Sequence, residues 1–296
     1  MLYDLELGID YEYDAPSDGA RNLLHLLPLT LVGRQTLQQG VITCDPAPDE
    51  RRDRVDFFGN PVTEVCWHSP LQEIRIHLRA RVERLVTAAA PMDLSPGLPD
   101  LARELAGLND IGPRSPHHFL APSPRITPNA AMAAYARDHV KPGATALEVV
   151  LALGKALHGD MTFDAEATDV DTPPAIAFVQ RRGVCQDFTH VMIACLRSLG
   201  IPAGYVSGCL RTLPPPGQER LAGADAMHAW VRAWTGHEGG WIEFDPTNDL
   251  IVGRDHITVA YGRDYADVAP VKGVLRTAGG QESSHSVDVI PVKTAA

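Results

Sequence analysis

Arg182-Gly183-Val184-Cys185-Gln186-Asp187-Phe188 is the stretch that decides the fold, because it opens an amphipathic helix with a cysteine in its first turn. From Phe188 onward, apolar residues recur at spacings of three and four: Val191, Met192, Cys195, Leu196 and Leu199. This period predicts a helix of about four turns that stops at Gly200. Unpaired N–H groups and the positive dipole end at a helix start favour a thiolate, so the pattern predicts a nucleophile at Cys185.

Length, composition and charge limit the class of protein. The chain has 296 residues, of which 45% are hydrophobic and 21% charged, an ordinary globular composition with room for two medium-sized domains. The formal net charge is −11 at pH 7, so we expect neither nucleic acid nor a membrane as a partner. No apolar run approaches the roughly 20 residues of a membrane helix, and the N-terminus lacks a signal-peptide pattern. The oligomeric state is open.

The cysteines indicate a reducing compartment. There are five, an odd number, without the short regular spacings of a disulfide framework, in a chain too large to need crosslinks. We therefore expect a cytoplasmic protein. Cys195, on the apolar face of the predicted helix, and Cys209, in a predicted strand, have the positions of small buried hydrophobic residues.

Patterning divides the chain into two parts. Apolar and polar residues alternate over 5–13, 23–31 and 73–82, which predicts a β-rich module over residues 1–86. A proline-rich connection follows over 87–128 and includes a short helical pattern at about 101–108. We place the domain boundary in it. Residues 1–125 form an N-terminal β-rich domain plus the connection, and residues 126–296 form a second domain that carries Cys185.

The second domain begins with helices and continues with strands. Helical patterns at about 129–140 and 145–158 precede an acidic loop at 160–174 and the Cys185 helix. Three strand patterns follow, and they span 203–210, 226–234 and 241–245. A proline-rich loop at 213–223 separates the first strand from the other two.

A thiol nucleophile needs a base, and the base needs an acceptor that orients it. His190 is five residues along the same helix, about 140° around its axis, so it faces away from Cys185. His228 lies near the start of one predicted strand and Asp245 ends the next. If these strands pair antiparallel, the two residues are opposite or diagonal, and opposite Cβ atoms on one face lie about 5 Å apart. This predicts a Cys185, His228, Asp245 triad.

Other interpretations of these residues are weaker. A strand histidine beside tryptophan is often a packed, hydrogen-bonded residue, and an Asp-Pro pair often starts a turn. Cys185, His190 and Cys195 follow one another at five-residue steps, which places them on three sides of one helix and argues against zinc. The acidic loop lacks the glycine and distal glutamate of a calcium-binding hand. We therefore expect no metal and no cofactor.

Three sequence blocks and some supporting segments share a known pattern. The blocks are Gly183-Val184-Cys185-Gln186-Asp187-Phe188-Thr189-His190, His228-Ala229-Trp230-Val231 and Phe244-Asp245-Pro246-Thr247-Asn248, and the supporting segments are 57–60, 200–203 and 262–268. In them the sequence resembles the transglutaminase-like superfamily of thiol enzymes, in particular its bacterial subfamily with an N-terminal β-rich domain. The resemblance implies a papain-like α+β core, in which the cysteine-bearing helix packs on an antiparallel sheet. It makes residues 126–296 the transglutaminase-like catalytic domain.

The resemblance also implies roles for single residues. Cys185 is then the nucleophile, His228 the base and Asp245 its orienter, and the shared chemistry is acyl transfer from an amide through a thioester. Gln180 is a candidate second oxyanion donor. Trp230, on the strand face of His228, is a candidate lining residue of the acyl pocket, although a core position suits it equally.

Three classes of function follow from this chemistry. The first is a cysteine peptidase or amidase that acts on peptide or protein amides. The second is a protein-glutamine transglutaminase. The third is a non-catalytic peptide-binding protein, which would leave a complete Cys, His and Asp set unexplained.

Overall fold

The computed structural model describes residues 1–85, 92–212, 223, 225–275 and 279–292. Its N-terminal part consists of strands, as the alternating pattern predicts. They are β1 (Leu2–Ser17), β2 (Ala20–Leu24), β3 (Gln35–Asp45), β4 (Glu50–Val55), β5 (Pro61–Trp67) and β6 (Leu71–Arg84). β1 and β6 pair antiparallel, with Leu7 opposite Leu78 and Ile9 opposite Ile76. These buried apolar side chains form the core of this part, and the polar residues between them face outward.

The alternation in the sequence predicted β1 and β6 but missed three other strands. β3 and β4 are edge strands of their sheets. All six residues of β4 are exposed, and β3 fully buries only Gln35 and Ile42, so neither strand shows a regular apolar alternation. The run at 23–31 is only partly a strand. β2 ends at Leu24, and Leu26 and Leu29 are buried without belonging to a strand.

Two strands from the C-terminal end complete the N-terminal sheets. β14 (Val271–Leu275) pairs with β2, and β15 (Gln281–Pro291) pairs with β1. The sheet orders are β14-β2-β5-β4 and β15-β1-β6-β3. The boundary between residues 125 and 126 therefore stays a prediction, and the N-terminal sheets contain chain from both of the predicted domains.

Five α-helices lie between residues 98 and 198, a range that the structure describes without gaps. They are α1 (Leu98–Gly107), α2 (Ala130–Asp138), α3 (Ala146–Asp160), α4 (Pro174–Gln180) and α5 (Cys185–Ser198). Thr145 caps α3 by accepting from the Glu148 N–H, and Asn129 caps α2 by accepting from the Met132 N–H. The predicted helices agree with α2, α3 and α5 to within about two residues.

A third antiparallel sheet packs against α5. It contains β9 (Ala203–Leu210), β10 (Ala226–Trp234), β11 (Trp241–Asp245), β12 (Leu250–Ile251) and β13 (His256–Gly262), in the order β12-β11-β10-β9-β13. β9, β10 and β11 have the predicted bounds. Of the predicted loop at 213–223, only residue 223 lies within the described residues. A two-stranded parallel sheet joins β7 (Thr162–Phe163) to β8 (Arg182–Gly183), and α6 (Tyr265–Val268) follows β13.

Small residues bring the helices close to this sheet. Gly154 of α3 lies where an added Cβ would overlap the ring of Phe244 on β11, so only glycine allows this contact. The result is a cysteine-bearing helix packed on an antiparallel sheet, with the two sheets of the N-terminal part beside it. The predicted α+β class, with the cysteine-bearing helix on an antiparallel sheet, is confirmed. Among the described residues, no helix combines the length and apolar character that crossing a membrane requires.

Candidate active site

Hydrogen bonds to the Asp187 carboxylate hold the start of α5. The Asp187 carboxylate accepts hydrogen bonds from the Val184 N–H at 2.8 Å and from the Thr168 hydroxyl at 2.6 Å. An added Cβ on Gly183 would lie 2.5 Å from the same carboxylate oxygen. Glycine at 183 therefore lets the carboxylate cap the residue that precedes the helix, which sets the position of Cys185.

Cys185 is the first residue of α5 and is half-buried. Among the described residues no acceptor bonds its backbone N–H, which is one of the free donors expected at a helix start. Tyr205 on β9 lies close by. Burial raises the pKa of Tyr205, and the negative charge of Cys185 raises it further. The thiol therefore has open backbone donors beside it and faces the sheet.

His228 and Asp245 form a hydrogen-bonded pair. Extending the register of β10 and β11 places Asp245 opposite Trp230 and diagonal to His228. The Nε2 atom of His228 lies 2.7 Å from Oδ2 of Asp245, and both side chains are buried. Because Nε2 is bound to Asp245, Nδ1 is the ring nitrogen left for Cys185, which is near enough to raise the pKa of His228. The structure thus brings the three predicted residues together.

The surroundings of His228 and Asp245 favour the charged forms of both side chains. Burial lowers the pKa of His228, but hydrogen bonds with Asp245 and Cys185 and their negative charges outweigh it and raise the pKa to about 10. Burial raises the pKa of Asp245, but hydrogen bonds from His228 and His256 outweigh it, so the net pKa lies well below its usual range. The site can therefore hold a protonated His228 against an ionised Asp245.

His256 and Asn248 also bind Asp245, and the sequence did not point to this role. Nε2 of His256 lies 3.0 Å from Oδ2, and Nδ2 of Asn248 donates to the same oxygen at 2.7 Å. An ionised carboxylate only accepts, so both histidines carry a proton on Nε2. Nδ1 of His256 is buried without a partner. The available signal was a histidine at the start of β13, but no strand was predicted there.

His228, Asp245 and His256 also have the residue types of a metal site. Their ligand atoms lie within 4.8 Å of one another, and all three residues are buried. The two nitrogen-to-oxygen distances are those of hydrogen bonds, whereas ligands bound to zinc at about 2 Å would lie about 3.3 Å apart. The arrangement suits an oriented imidazole better than a metal.

The histidine and the two cysteines considered beside Cys185 are buried and support the structure. His190 is buried and accepts from the Tyr265 N–H at 3.2 Å, and burial lowers its pKa to about 3, so it acts as a neutral acceptor. Burial raises the pKa of both Cys195 and Cys209 to about 12. These two thiols therefore stay protonated near neutral pH.

Neither supporting residue of the prediction reaches an open pocket. Trp230 has no exposed surface, and its Nε1 donates to Glu243 at 2.8 Å. Its ring packs 6.2 Å from His228 and 5.1 Å from His256, so it supports the histidines and does not line an acyl pocket. The side chain of Gln180, at the end of α4, is exposed, and no described contact joins it to Cys185.

Two family patterns match this chain. The pattern of the transglutaminase-like superfamily matches residues 133–246, which contain Cys185, His228 and Asp245. The pattern of the bacterial transglutaminase-like N-terminal region matches residues 3–83. The chain belongs to the transglutaminase-like superfamily. This membership agrees with the predicted resemblance and supports a thiol enzyme as the general class.

Sequence similarity to other proteins covers nearly the whole chain. An uncharacterized protein of Mycobacterium tuberculosis is 36% identical over 282 residues, which are 88% of this chain and 85% of that protein. An uncharacterized protein of Mycobacterium leprae is 30% identical over 286 residues, 94% of this chain and 95% of the relative. The crystal structure of a provisionally assigned cysteine protease from Cytophaga hutchinsonii aligns with a TM-score of 0.72 and 20% identity, covering 100% of this chain and 93% of that chain. At this identity the likeness concerns the fold.

Proposed function

We propose that the chain is a thiol-dependent acyl-transfer enzyme that acts on amide bonds of peptides or proteins, as a cysteine peptidase or amidase. One observation carries the proposal. His228 is bound through Nε2 to the buried carboxylate of Asp245 and lies near enough to Cys185, at the start of α5, for Cys185 to raise its pKa. Nucleophile, base and orienting acceptor are the three parts that thiol catalysis requires.

The reaction begins at Cys185. Its thiolate attacks the amide carbonyl carbon, and the negative charge moves to the carbonyl oxygen, which the free Cys185 N–H stabilises. Nδ1 of His228 then gives its proton to the leaving amine nitrogen as the C–N bond breaks, leaving a thioester on Cys185. Asp245 accepts from Nε2 throughout and keeps the ring oriented.

The acceptor in the second step decides the reaction class. When water attacks the thioester, His228 takes the water proton, the C–S bond breaks and a free acid leaves, so the enzyme is a hydrolase. When a primary amine attacks, His228 takes a proton from the amine, the C–S bond breaks and a new amide forms, so the enzyme is a transglutaminase. Neither route requires a metal or an organic cofactor. We place the enzyme in a reducing compartment for two reasons. A catalytic thiolate must stay reduced to act, and all five cysteines are free thiols.

Intact-mass analysis tests the proposal without a known substrate. The full-length protein is incubated with a library of peptide amides, and an acyl adduct on Cys185 is expected. The Cys185→Ala variant should form none. Absence of any adduct from an amide or activated-ester library, or an equal adduct in Cys185→Ala, contradicts the proposal.

Once a substrate is found, added primary amine separates the two reactions. Release of free acid without amine incorporation supports the peptidase or amidase, and incorporation of the amine supports the transglutaminase. His228→Ala should reduce turnover at least about a hundredfold, and Asp245→Ala less, because Asp245 only orients the ring.

A further inference from the structure

A cavity of about 650 Å³ lies on the sheet away from the triad residues. One wall comes from the segment between β2 and β3 and from the turn at Phe58, and another comes from residues 110–114. The floor is the sheet itself, through Arg232, Trp241, Glu243 and Tyr261. Cys185, His228 and Asp245 do not line it.

Arg232 is the unusual residue of this cavity. It is only 8% exposed, and its guanidinium carbon lies 3.8 Å from the ring centroid of Trp241 and 4.3 Å from that of Tyr261. The Nε atom is buried without a hydrogen-bond partner, and no described residue accepts a hydrogen bond from the guanidinium. Stacking uses the faces of the guanidinium plane, so the N–H groups at its edge remain free.

The Glu243 charge acts on Arg232, but among the described residues no carboxylate around the cavity makes a hydrogen bond or ion pair with it. The Glu243 carboxylate binds Arg34 at 2.8 Å and also accepts from the Trp230 indole and the Tyr261 hydroxyl. Arg114 is exposed and has no ion pair among the described residues. The cavity therefore carries three arginines against the carboxylates of Glu243 and Asp110. A buried cation without a hydrogen-bonded partner is costly, and an anion in the cavity would remove that cost.

We propose that this cavity binds a carboxylate that carries an aromatic or aliphatic group, with the carboxylate on the edge of Arg232. The planar N–H edge of arginine matches the two oxygens of a carboxylate. Leu29, Leu31 and Phe58 provide apolar walls, which favour an organic acid over an inorganic oxyanion. The inference does not rest on the proposed function.

Calorimetric titration of the full-length protein tests the site. The probes are benzoate, neutral benzyl alcohol, inorganic phosphate, and acetyl-glycyl-phenylalanine as the free acid and as the C-terminal amide. Benzoate and the peptide acid separate a small organic acid from a peptide C-terminus as the source of the carboxylate. Binding of either acid at one site per chain, without binding of its neutral counterpart, is the expected result.

Variants assign the binding to the cavity. Arg232→Gln should raise the Kd of the bound acid at least about tenfold, since a charged hydrogen-bonded pair is lost. Arg114→Gln, at an exposed position, should raise the Kd severalfold and serves if Arg232→Gln fails to fold. Arg79→Gln, a surface control that is 80% exposed, and Cys185→Ala should leave the Kd unchanged. The proposal is overturned if neither acid binds, if Arg114→Gln and any folded Arg232→Gln protein bind as tightly as the native chain, or if phosphate binds more tightly than benzoate.

Discussion

Asp245 is the residue on which the candidate site depends. Its Oδ2 atom accepts from His228, His256 and Asn248, and its Oδ1 atom accepts from the backbone N–H groups of Thr247 and Asn248. Strand spacing in the sequence was enough to pair His228 with Asp245, because a cross-strand neighbour follows from register alone. His256 comes from β13, which is separated from β11 in the sheet by β10 and β9. A contact across two intervening strands depends on the tertiary arrangement of the sheet, which no local pattern records.

His256 should stabilise the fold through its bond to the buried Asp245 carboxylate. We expect His256→Ala to lower the free energy of unfolding by about 2 kcal/mol, since hydrogen bonds to charged groups contribute about 1.5–3 kcal/mol. His256→Gln, which keeps a side-chain N–H donor, should recover part of this loss. Urea unfolding of each variant measures it, with the exposed His77→Ala as the histidine control. Equal stability of His256→Ala and the native chain would show that the bond contributes nothing.

His228 should make stability depend on pH. Its pKa is about 6.5 in the unfolded chain and rises to about 10 in the fold. A raised folded pKa gives a stabilisation that is complete below about pH 6.5 and is lost as the pH rises toward about 10. We expect the urea midpoint of the native chain to fall more between pH 6.5 and 9.5 than that of His228→Gln. The same slope in both proteins would mean that His228 is not held as an imidazolium.

At the scale of elements, α5 and the strands β9 to β11 were predictable because local signals agreed. The helix has a glycine before it, an apolar face and a glycine stop, and each strand is bounded by turn residues. What the sequence did not show is how the first turn is capped. The cap comes from Asp187, which is itself a residue of the first turn of α5. Its carboxylate fits close to Gly183 only because of the path of the chain before Cys185.

Gly183→Ala should disturb this helix start. The added methyl group would lie 2.5 Å from the Asp187 carboxylate, so the carboxylate has to move away from the Val184 N–H. We expect a loss of about 1–3 kcal/mol in the free energy of unfolding, the usual range for overpacking, and slower alkylation of Cys185. Gly159→Ala in α3 is the matched control, because nothing lies within 4 Å of the added atom. If both variants behave alike, the close approach at Gly183 does not position the helix.

At the scale of the whole molecule, two buried polar side chains join the N-terminal part to β13. The Gln35 amide donates to the Thr258 carbonyl at 2.7 Å and accepts from the Thr258 N–H at 2.9 Å. The Asn60 amide makes the same two bonds with Tyr261, each at 2.8 Å. Each side chain thus imitates a neighbouring strand. The sequence showed two regions but could not show these contacts, or the return of β14 and β15, because they join residues about 200 or more positions apart.

Gln35→Ala should therefore weaken the whole fold. It leaves the Thr258 N–H and the Leu29 carbonyl without their Gln35 hydrogen bonds, and each such buried group costs about 1–3 kcal/mol. The Thr258 carbonyl still accepts from the Leu29 N–H at 3.0 Å. We expect a loss of about 2–5 kcal/mol in one cooperative urea transition. Gln39→Ala, on the same strand but exposed, should change stability by less than about 0.5 kcal/mol. A Gln35→Ala protein as stable as Gln39→Ala would rule out this contact as a major support of the fold.

Alkylation at pH 6 tests most directly whether His228 activates Cys185, because no substrate is needed. The native chain and His228→Ala are treated briefly with iodoacetamide, and the modified cysteines are mapped by mass spectrometry. We predict that Cys185 reacts first in the native chain and at least about tenfold more slowly in His228→Ala, while Cys195 and Cys209 stay unmodified because burial raises the pKa of each to about 12. Equal rates at Cys185 in the two proteins, or faster labelling of another cysteine in the native chain, would contradict the account.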